Sequence, residues 1–310
     1  MRKPNFFIAG APRSGTTALF YFLKQHPEIY MSGLKEPYYF CSDFHEESDR
    51  FHQTELRFPI RTEKAYLKLF QDAAHEKIVG EATPDYLYSK VAARKIYEFD
   101  KDAMILLSIR NPVDFLYSLH SHLLSYGFEN IADFKKALDI EPMRRKGRHL
   151  PKGVFWPSSL YYSERMRFAE QIKRYFDYFP RRQVKILIFD DFKKDEMGAY
   201  KTILGFLGID TSFTPTTKVH NENRVSRFNF VNRLFSELGD TKIGSMLPPK
   251  WRGTLAWKLR EINSRVARRR PLDPSLRNTL MKQAKPEVEE LSLLLNRDLL
   301  TLWNYEETGV

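Results

Sequence analysis

Near its start, the chain passes from a short apolar segment through a loop bounded by two glycines into a second apolar segment. Residues 6–9 predict a buried strand, Gly10 and Gly15 bound the loop, and residues 18–23 predict a helix. The helix should end near Pro27, because proline disfavours helical geometry at the residue before it. In such a turn the loop N–H groups and the helix N-terminus point at one spot, where the helix dipole attracts an anion. This order of elements predicts an α/β fold with a phosphate cradle.

Further apolar runs alternate with helical patterns along the rest of the chain. Strands are predicted at 77–80, 103–109 and 184–189, and helices at 164–178, 200–207 and 287–303. Continuous apolar strands that alternate with helices favour a parallel sheet covered on both faces. A chain of 310 residues is long enough to bury one large core. We therefore predict a single α/β domain over residues 1–310.

The chemistry of the glycine-bounded loop differs from that of a nucleoside-triphosphate enzyme. Its glycine spacing is that of the P-loop G-x-x-x-x-G-K-[ST], but Thr16 stands at the lysine position. That lysine normally binds the terminal phosphates, and the hydroxyl after it binds Mg²⁺. The cation available inside this loop is Arg13, which favours a phosphate-like anion held by an arginine and hydroxyls. The spacing alone leaves open a structural strand-to-helix turn and an ATP-dependent phosphoryl-transfer enzyme.

Five segments carry a resemblance to a known family. The runs GAPRSGTTAL at 10–19 and KEPYYF at 35–40, with His-Pro between them, resemble the opening of the sulfotransferase family, which binds 3′-phosphoadenosine 5′-phosphosulfate (PAPS). The run IRNPVDFLYS at 109–118 is similar to the second cofactor motif of that family, and the segments 206–209 and 294–299 are similar to later landmarks. The pattern looks most like the bacterial carbohydrate-type branch, related to heparan sulfate sulfotransferases. The resemblance implies a parallel sheet flanked by helices, a P-loop-like sulfotransferase fold, and sulfuryl transfer to a hydroxyl or amine.

The resemblance also implies which residues bind the cofactor. Arg110 and Ser118 match the positions that hold the 3′-phosphate, and Tyr162 falls where the family often has an aromatic residue near the nucleotide. A guanidinium suits a phosphate because it forms paired, charge-assisted hydrogen bonds. The predicted residues for PAPS and its product, 3′-phosphoadenosine 5′-phosphate (PAP), are Arg13, Ser14, Gly15, Thr16, Thr17, Arg110, Ser118 and Tyr162. A packed core tyrosine is the alternative for Tyr162.

Three residues are predicted to take part in the reaction itself. Glu36 matches the glutamate that acts as general base in the heparan sulfate branch. Arg13 would stabilise the charge that develops on the leaving phosphate. His122 follows Ser118 by four residues and so lies on the same helix face, and a histidine at this spacing also occurs in N-sulfotransferases. His120 is the competing histidine.

Some positions depart from the heparan sulfate pattern and leave the acceptor open. Ala82 stands where heparan sulfate enzymes have a lysine, and Tyr38 and Phe115 replace residues that are commonly polar or basic. A glycan, a lipid headgroup or a small metabolite would each fit as the acceptor. No cysteine cluster, paired-histidine signature or acidic metal motif stands out, so we expect no metal requirement.

The charge of the chain predicts an anionic partner. Its net charge of +11 comes from 50 Lys and Arg against 39 Asp and Glu. A nucleic-acid-binding protein is therefore a further alternative, but no known binding module is recognisable, and we expect no nucleic-acid partner. Residues 250–270 carry eight cations and one acid. They predict either a solvated helix face or a contact with an anionic surface.

The expected compartment is the cytoplasm. Cys41 is the single cysteine, which excludes an internal disulfide and fits a reducing environment. The first residues lack a signal-peptide layout, because the apolar run at 6–9 stops at Gly10. No apolar run approaches the roughly 18 residues of a transmembrane segment.

Overall fold

The computed structural model describes residues 2–55, 57–216, 224–226, 264–266 and 270–306, the two three-residue segments by their backbone alone. The chain forms two compact units. The first comprises Met1–Glu46, Phe58–Asn111 and Phe168–Asn221, and the second comprises Glu47–Arg57, Pro112–Arg167 and Glu222–Val310. The single domain over 1–310 stays a prediction.

A five-stranded sheet lies in the first unit, and all its neighbouring strands are parallel. The strands are β1 (Phe6–Gly10), β2 (Ile29–Met31), β3 (Ile78–Ala82), β4 (Met104–Ile109) and β5 (Val184–Ile188). Their order across the sheet is β2-β3-β1-β4-β5. The four strands predicted from apolar runs are confirmed as β1, β3, β4 and β5. The sequence did not indicate β2, because a three-residue edge strand makes too short an apolar run.

Helices flank the sheet and make up much of the described part of the second unit, which confirms the predicted α/β class. In chain order the α-helices are α1 (Thr16–Leu23), α2 (Ser42–His52), α3 (Glu63–Leu67), α4 (Ala92–Phe99), α5 (Pro112–Tyr126), α6 (Phe134–Asp139), α7 (Glu141–Arg144), α8 (Tyr162–Arg165), α9 (Phe168–Phe176), α10 (Phe189–Lys194), α11 (Glu196–Phe206), α12 (Pro274–Leu295) and α13 (Leu299–Leu302). Short 3₁₀ turns follow α3 and β3, precede α8 and lead into β5. In the second unit, β6 (Arg224–Ser226) pairs with β7 (Ser264–Val266) in antiparallel fashion.

The first strand is buried along its whole length, because it pairs with β3 and β4 and its side chains alternate between two covered faces. Phe6 and Ile8 pack in one cluster with Leu19 of α1 and Ile203 of α11. On the other face, the ring centroids of Phe7 and Phe40 lie 5.8 Å apart. This packing fixes the strand from which the glycine loop emerges.

The last predicted helix, 287–303, begins and ends elsewhere in the structure. Helix α12 starts at Pro274 and ends at Leu295. The next residue, Asn296, takes a left-handed conformation with φ +48° that ends the helix. Asp298 then caps α13, and its carboxylate accepts from the N–H of Thr301 at 3.0 Å. The predicted helix is therefore split in two, because each cap satisfies backbone groups at a helix end. The predicted helix at 164–178 is likewise divided between α8 and α9.

The basic segment 250–270 lies outside the described residues, except for the backbone of 264–266 and for Arg270. The Arg270 carbonyl accepts a hydrogen bond from the Tyr117 hydroxyl at 3.0 Å. In the part of the chain that the structure describes, no helix is both long and apolar enough to cross a membrane.

Candidate active site

Two glycines shape the predicted loop between β1 and α1. A Cβ at Gly10 would lie 2.3 Å from the Cβ of Leu87, so the close approach of these segments requires glycine. Gly15 precedes α1 with φ +83°, a left-handed conformation that costs glycine little. A Cβ at Gly15 would also meet ring atoms of Phe189 and Phe192 at 3.1 Å. The glycines thus fix the point at which the loop enters the helix, whose first N–H groups can receive an anion.

Strand β4 holds the same loop from its other side. The hydroxyl of Ser108 donates to the Ser14 carbonyl at 2.5 Å. Arg110, directly after β4, donates from Nη1 to the Arg13 carbonyl at 3.1 Å. Its guanidinium carbon lies 4.8 Å from the ring centroid of Phe189. The structure therefore brings the predicted cofactor residues Arg13 and Arg110 together at the loop.

The side chain of Ser14 marks the polar interior of the loop. Ser14 is fully buried, and its Oγ has no hydrogen-bond partner among the described residues. A buried hydroxyl without a partner costs about 1–3 kcal/mol, so such groups commonly receive a ligand, an ion or water. Thr16, buried, and Thr17, half-buried, open α1 beside it. These donors fit a phosphate group, whose oxygens accept hydrogen bonds.

The predicted base, Glu36, lies at the same edge of the sheet as the loop. Its backbone N–H donates to the Ala82 carbonyl at the end of β3, at 2.9 Å. The next residue, Thr83, donates its N–H to the Ile8 carbonyl of β1 at 3.1 Å. The carboxyl ends of parallel strands meet at one edge, which is where α/β proteins bind ligands. Glu36 and the glycine loop therefore share the edge that is chemically suited to a site.

The Glu36 carboxylate is held by neighbouring side chains and still reaches solvent. The Lys35 ammonium hydrogen-bonds to Oε1, and the Tyr38 hydroxyl donates toward Oε2 at 3.3 Å. The same hydroxyl lies 3.0 Å from Oδ2 of Asp85, which is buried. The Glu36 side chain is 37% exposed, so an acceptor in solution can approach it. A half-exposed carboxylate with a cation on one oxygen can take a proton from a bound alcohol.

Helix α5 of the second unit carries the predicted Ser118 and His122 one turn apart. Ser118 is buried, and the half-buried ring of His122 lies 4.7 Å from the ring of Tyr126. The competing His120 is buried, and its Nε2 hydrogen-bonds to the Ile131 carbonyl at 2.8 Å. Burial lowers the pKa of His120 below its ordinary value. These contacts fit His120 to a structural role and leave His122 as the histidine with an accessible ring.

Tyr162, predicted to lie near the nucleotide, is fully buried within the second unit. Its hydroxyl donates to Oε2 of Glu129 at 2.9 Å. The buried Arg144 donates to both oxygens of the same carboxylate at 2.7 Å each. Tyr162 thus completes a buried ion pair, and its role beside the nucleotide stays a prediction.

A buried acid next to the site was not predicted from the sequence. Glu81 of β3 is fully buried, and its carboxyl group accepts from the hydroxyls of Tyr66, Tyr86 and Thr83 at 2.7, 2.8 and 2.7 Å. Burial raises the pKa of Glu81 to about 7, although the three hydroxyls act in the opposite direction. An acidic residue within an apolar strand was the one available signal. Among the described residues, no group of three or more His, Cys, Asp or Glu side chains could hold a metal ion.

The sulfotransferase domain model matches residues 3–233. The chain belongs to the sulfotransferase family. A crystal structure of a sulfotransferase from Alicyclobacillus acidocaldarius has a TM-score of 0.73 and 29% identity, and the match covers 98% of this chain and 100% of that one. This similarity confirms the predicted sulfotransferase fold.

Curated relatives match shorter stretches of this chain. The membrane-associated sulfotransferase kil1 of Dictyostelium discoideum is 32% identical over 111 residues, 36% of this chain and 21% of that protein. Human heparan sulfate glucosamine 3-O-sulfotransferase 6 is 30% identical over 124 residues, 40% of this chain and 32% of that protein. This chain therefore spans about a fifth to a third of the length of these relatives. The predicted resemblance to carbohydrate and heparan sulfate sulfotransferases is confirmed.

Proposed function

We propose that this protein transfers a sulfuryl group from PAPS to a hydroxyl or amine of an acceptor. The observation that carries the proposal is the loop after β1 in a member of the sulfotransferase family. There the buried Ser14 hydroxyl has no hydrogen-bond partner among the described residues, and Arg110 donates to the neighbouring Arg13 carbonyl. Thr16 at the P-loop lysine position argues against the ATP-dependent alternative.

In this proposal some residues bind the cofactor and others take part in the reaction. PAPS supplies the transferable group. Arg110 and Ser118 hold its 3′-phosphate, while the N–H of Gly15 and the hydroxyls of the loop bind the phosphate that becomes the leaving group. Arg13 stabilises the negative charge that grows there as the bond to sulfur breaks. Glu36 takes the proton from the acceptor.

The acceptor is proposed only as a class. A glycan, a lipid headgroup or a small metabolite remains compatible with Ala82, which replaces a cation expected in heparan sulfate enzymes. His122 is proposed as an assisting residue because its ring is accessible. We propose a cytoplasmic location, supported by the lone, buried Cys41. The anionic-surface contact of 250–270 stays a prediction.

Calorimetry with PAP, AMP and Mg·ATP tests the cofactor. PAP should bind about tenfold or more tightly than AMP, because the extra phosphate gains charge-assisted contacts with Arg110 and Ser118. Arg110→Met should remove most of this difference, whereas Arg94→Met, at an exposed residue paired with Glu98, should not. Equal affinities for PAP and AMP would contradict the proposal, and a preference for Mg·ATP would support phosphoryl transfer.

Mass spectrometry of PAPS reactions then tests the transfer and identifies the acceptor. The panel should contain glycans, lipid headgroups and small hydroxylated or aminated metabolites. A product heavier by one sulfuryl group, formed only with PAPS present, is the expected result.

A further inference from the structure

A single phenol lies between two carboxylates at the candidate site. The Tyr38 hydroxyl is 3.0 Å from Oδ2 of Asp85 and 3.3 Å from Oε2 of Glu36. An ionised carboxylate only accepts hydrogen bonds, and a phenol has one proton to donate. Burial, with the charges of Asp85 and Glu36, holds the pKa of Tyr38 well above its ordinary value. Tyr38 therefore keeps its proton and can direct it to either carboxylate.

Asp85 is firmly placed to anchor this phenol. It lies in the 3₁₀ turn Pro84–Tyr86 directly after β3, and it is 8% exposed. Its backbone carbonyl accepts from the N–H groups of Tyr88 and Ser89 at 3.1 Å each. The carboxylate of Asp85 is therefore held at the sheet edge while it accepts the shorter of the two hydrogen bonds.

The backbone around Tyr38 is held in an unusual conformation. Glu36 and Tyr38 have φ of +62° and +57°, left-handed values that cost residues with a Cβ about 1 kcal/mol or more. The Tyr38 carbonyl is bound by Nε2 of His45 at 2.9 Å and by the N–H of Cys41 at 3.0 Å. Its ring centroid lies 5.5 Å from that of Phe58. Such strain persists where the surroundings fix it, and it is concentrated at functional sites.

We propose that Tyr38, anchored by Asp85, is a positioning residue for the Glu36 carboxylate, an inference that rests on the proposed role of Glu36 as the base. Lys35 holds Oε1, and Tyr38 donates to Oε2 while Glu36 is ionised. When the proton of the acceptor moves to Glu36, the neutral carboxyl needs this donor less. Tyr38 keeps its own proton and turns it toward Asp85, so the only proton transferred is that from the acceptor to Glu36.

The groups that face this pair determine how each substitution acts. Lys35 and Asp85 face the Glu36 carboxylate and the Tyr38 hydroxyl, the thiol of Cys41 acts on Tyr38, and His45 of α2 binds its carbonyl. Tyr38→Phe removes a donor, so the Glu36 carboxylate should lose a hydrogen bond. Asp85→Asn removes the stronger competing acceptor, so the Tyr38 hydroxyl should donate more fully to Glu36.

Carbon-detected NMR of ligand-free protein with labelled glutamate, near neutral pH, reports the hydrogen bonding of the Glu36 carboxylate. The Glu36 resonance is assigned as the signal lost in Glu36→Gln. We expect this resonance to move in opposite directions in Tyr38→Phe and in Asp85→Asn, with a smaller Asp85→Asn effect in the Tyr38→Phe background. Tyr39→Phe, the same change in a ring stacked on Tyr66, is the control and should leave the Glu36 resonance unchanged.

The result is separable from the test of the proposed function. An unchanged Glu36 resonance in Tyr38→Phe, or additive effects of the two substitutions, would overturn the positioning role even if PAP binds tightly. On an acceptor identified with the wild type, Tyr38→Phe should lower kcat by about tenfold and leave the KM for PAPS unchanged. Loss of folding in Tyr38→Phe would be recognised by circular dichroism, and the Glu36 resonance of Asp85→Asn would then decide the test. A resonance that does not move in Asp85→Asn would overturn the proposal.

Discussion

At the scale of single residues, Ser14 offers the most direct test of the anion cradle. Ser14→Ala should lower PAP affinity by about tenfold, because a hydrogen bond to a charged group contributes about 1.5–3 kcal/mol. The free energy of unfolding of the ligand-free protein should stay the same or rise slightly, since the hydroxyl that is removed is buried and has no partner in the described part of the chain. Calorimetry and urea denaturation measure the two quantities.

Ser48→Ala is the matched control for this change. Ser48 in α2 is also buried, and its hydroxyl has no hydrogen-bond partner among the described residues. Its substitution should leave PAP affinity unchanged. If Ser14→Ala binds PAP as the wild type does, the Ser14 hydroxyl does not contact the cofactor.

Glu36→Gln tests the proposed transfer of a proton from the acceptor to Glu36. Glu36→Gln keeps the shape of the side chain and removes the base, so kcat should fall by roughly 10²–10⁴-fold. PAP affinity should be nearly unchanged, because the phosphates are assigned to the loop and to Arg110. Steady-state kinetics on an identified acceptor provides the measurement, with His122→Ala in parallel. Normal turnover of Glu36→Gln would place the base elsewhere, and His122 would become the leading candidate.

The residues that the sequence predicts for the cradle are close together along the chain. The glycines, Arg13 and Thr16 form one local pattern, so spacing alone indicated the turn. The partnership of Tyr38 with Asp85 joins residues 47 positions apart, and no local pattern encodes it. Tyr38 was noted in the sequence only as a departure from the family pattern. Its function as a hydrogen-bond donor follows from the fold, which brings the ends of different strands to one edge.

At the scale of elements, the sequence predicted buried strands well and helix ends poorly. Strands β1 and β4 lie inside the sheet and are almost continuous apolar runs, because they are buried along nearly their whole length. The end of α12 depends instead on Asn296 adopting a left-handed cap, which the amphipathic pattern of 287–303 does not reveal. Edge strand β2 is specified by its pairing with β3 rather than by its own residues.

The turn between β1 and α1 should depend on the backbone conformation of Gly15. Gly15→Ala would force a Cβ into a left-handed residue and to 3.1 Å from the rings of Phe189 and Phe192. We expect a loss of about 1–2 kcal/mol in the free energy of unfolding, together with weaker PAP binding. Gly205→Ala in α11 meets no atom within 4 Å and should be neutral or stabilising. Equal stabilities of the two variants would show that the geometry of Gly15 is not required.

At the scale of the whole molecule, each unit contains a buried glutamate, and the two glutamates have different partners. In the second unit burial raises the pKa of Glu129, but the bidentate Arg144 outweighs it, so that pKa lies below its ordinary value. In the first unit Glu81 meets hydroxyls instead of a cation, and its pKa rises to about 7. The two groups should therefore respond to pH in opposite directions.

The response of Glu81 gives a prediction for global stability. Below its ordinary pKa of 4.5, Glu81 is protonated in both the folded and the unfolded chain. Between 4.5 and about 7 the folded state retains the proton and the unfolded state releases it, so this contribution to the free energy of unfolding falls as pH rises. Above that range both states are ionised, and the contribution, in all about 3 kcal/mol, is lost.

Glu81→Gln isolates this contribution, because glutamine does not titrate. The difference in unfolding free energy between wild type and Glu81→Gln should shift by about 2–3 kcal/mol between about pH 5 and about pH 8, with the wild type relatively weaker at the higher pH. Urea denaturation at several pH values measures it. Glu63→Gln, at a side chain that is 55% exposed, is the control for the substitution itself and should change the free energy of unfolding little. If the Glu81→Gln and wild-type curves run parallel across this range, the folded state does not raise the pKa of Glu81, and its hydroxyl shell stabilises the ionised form.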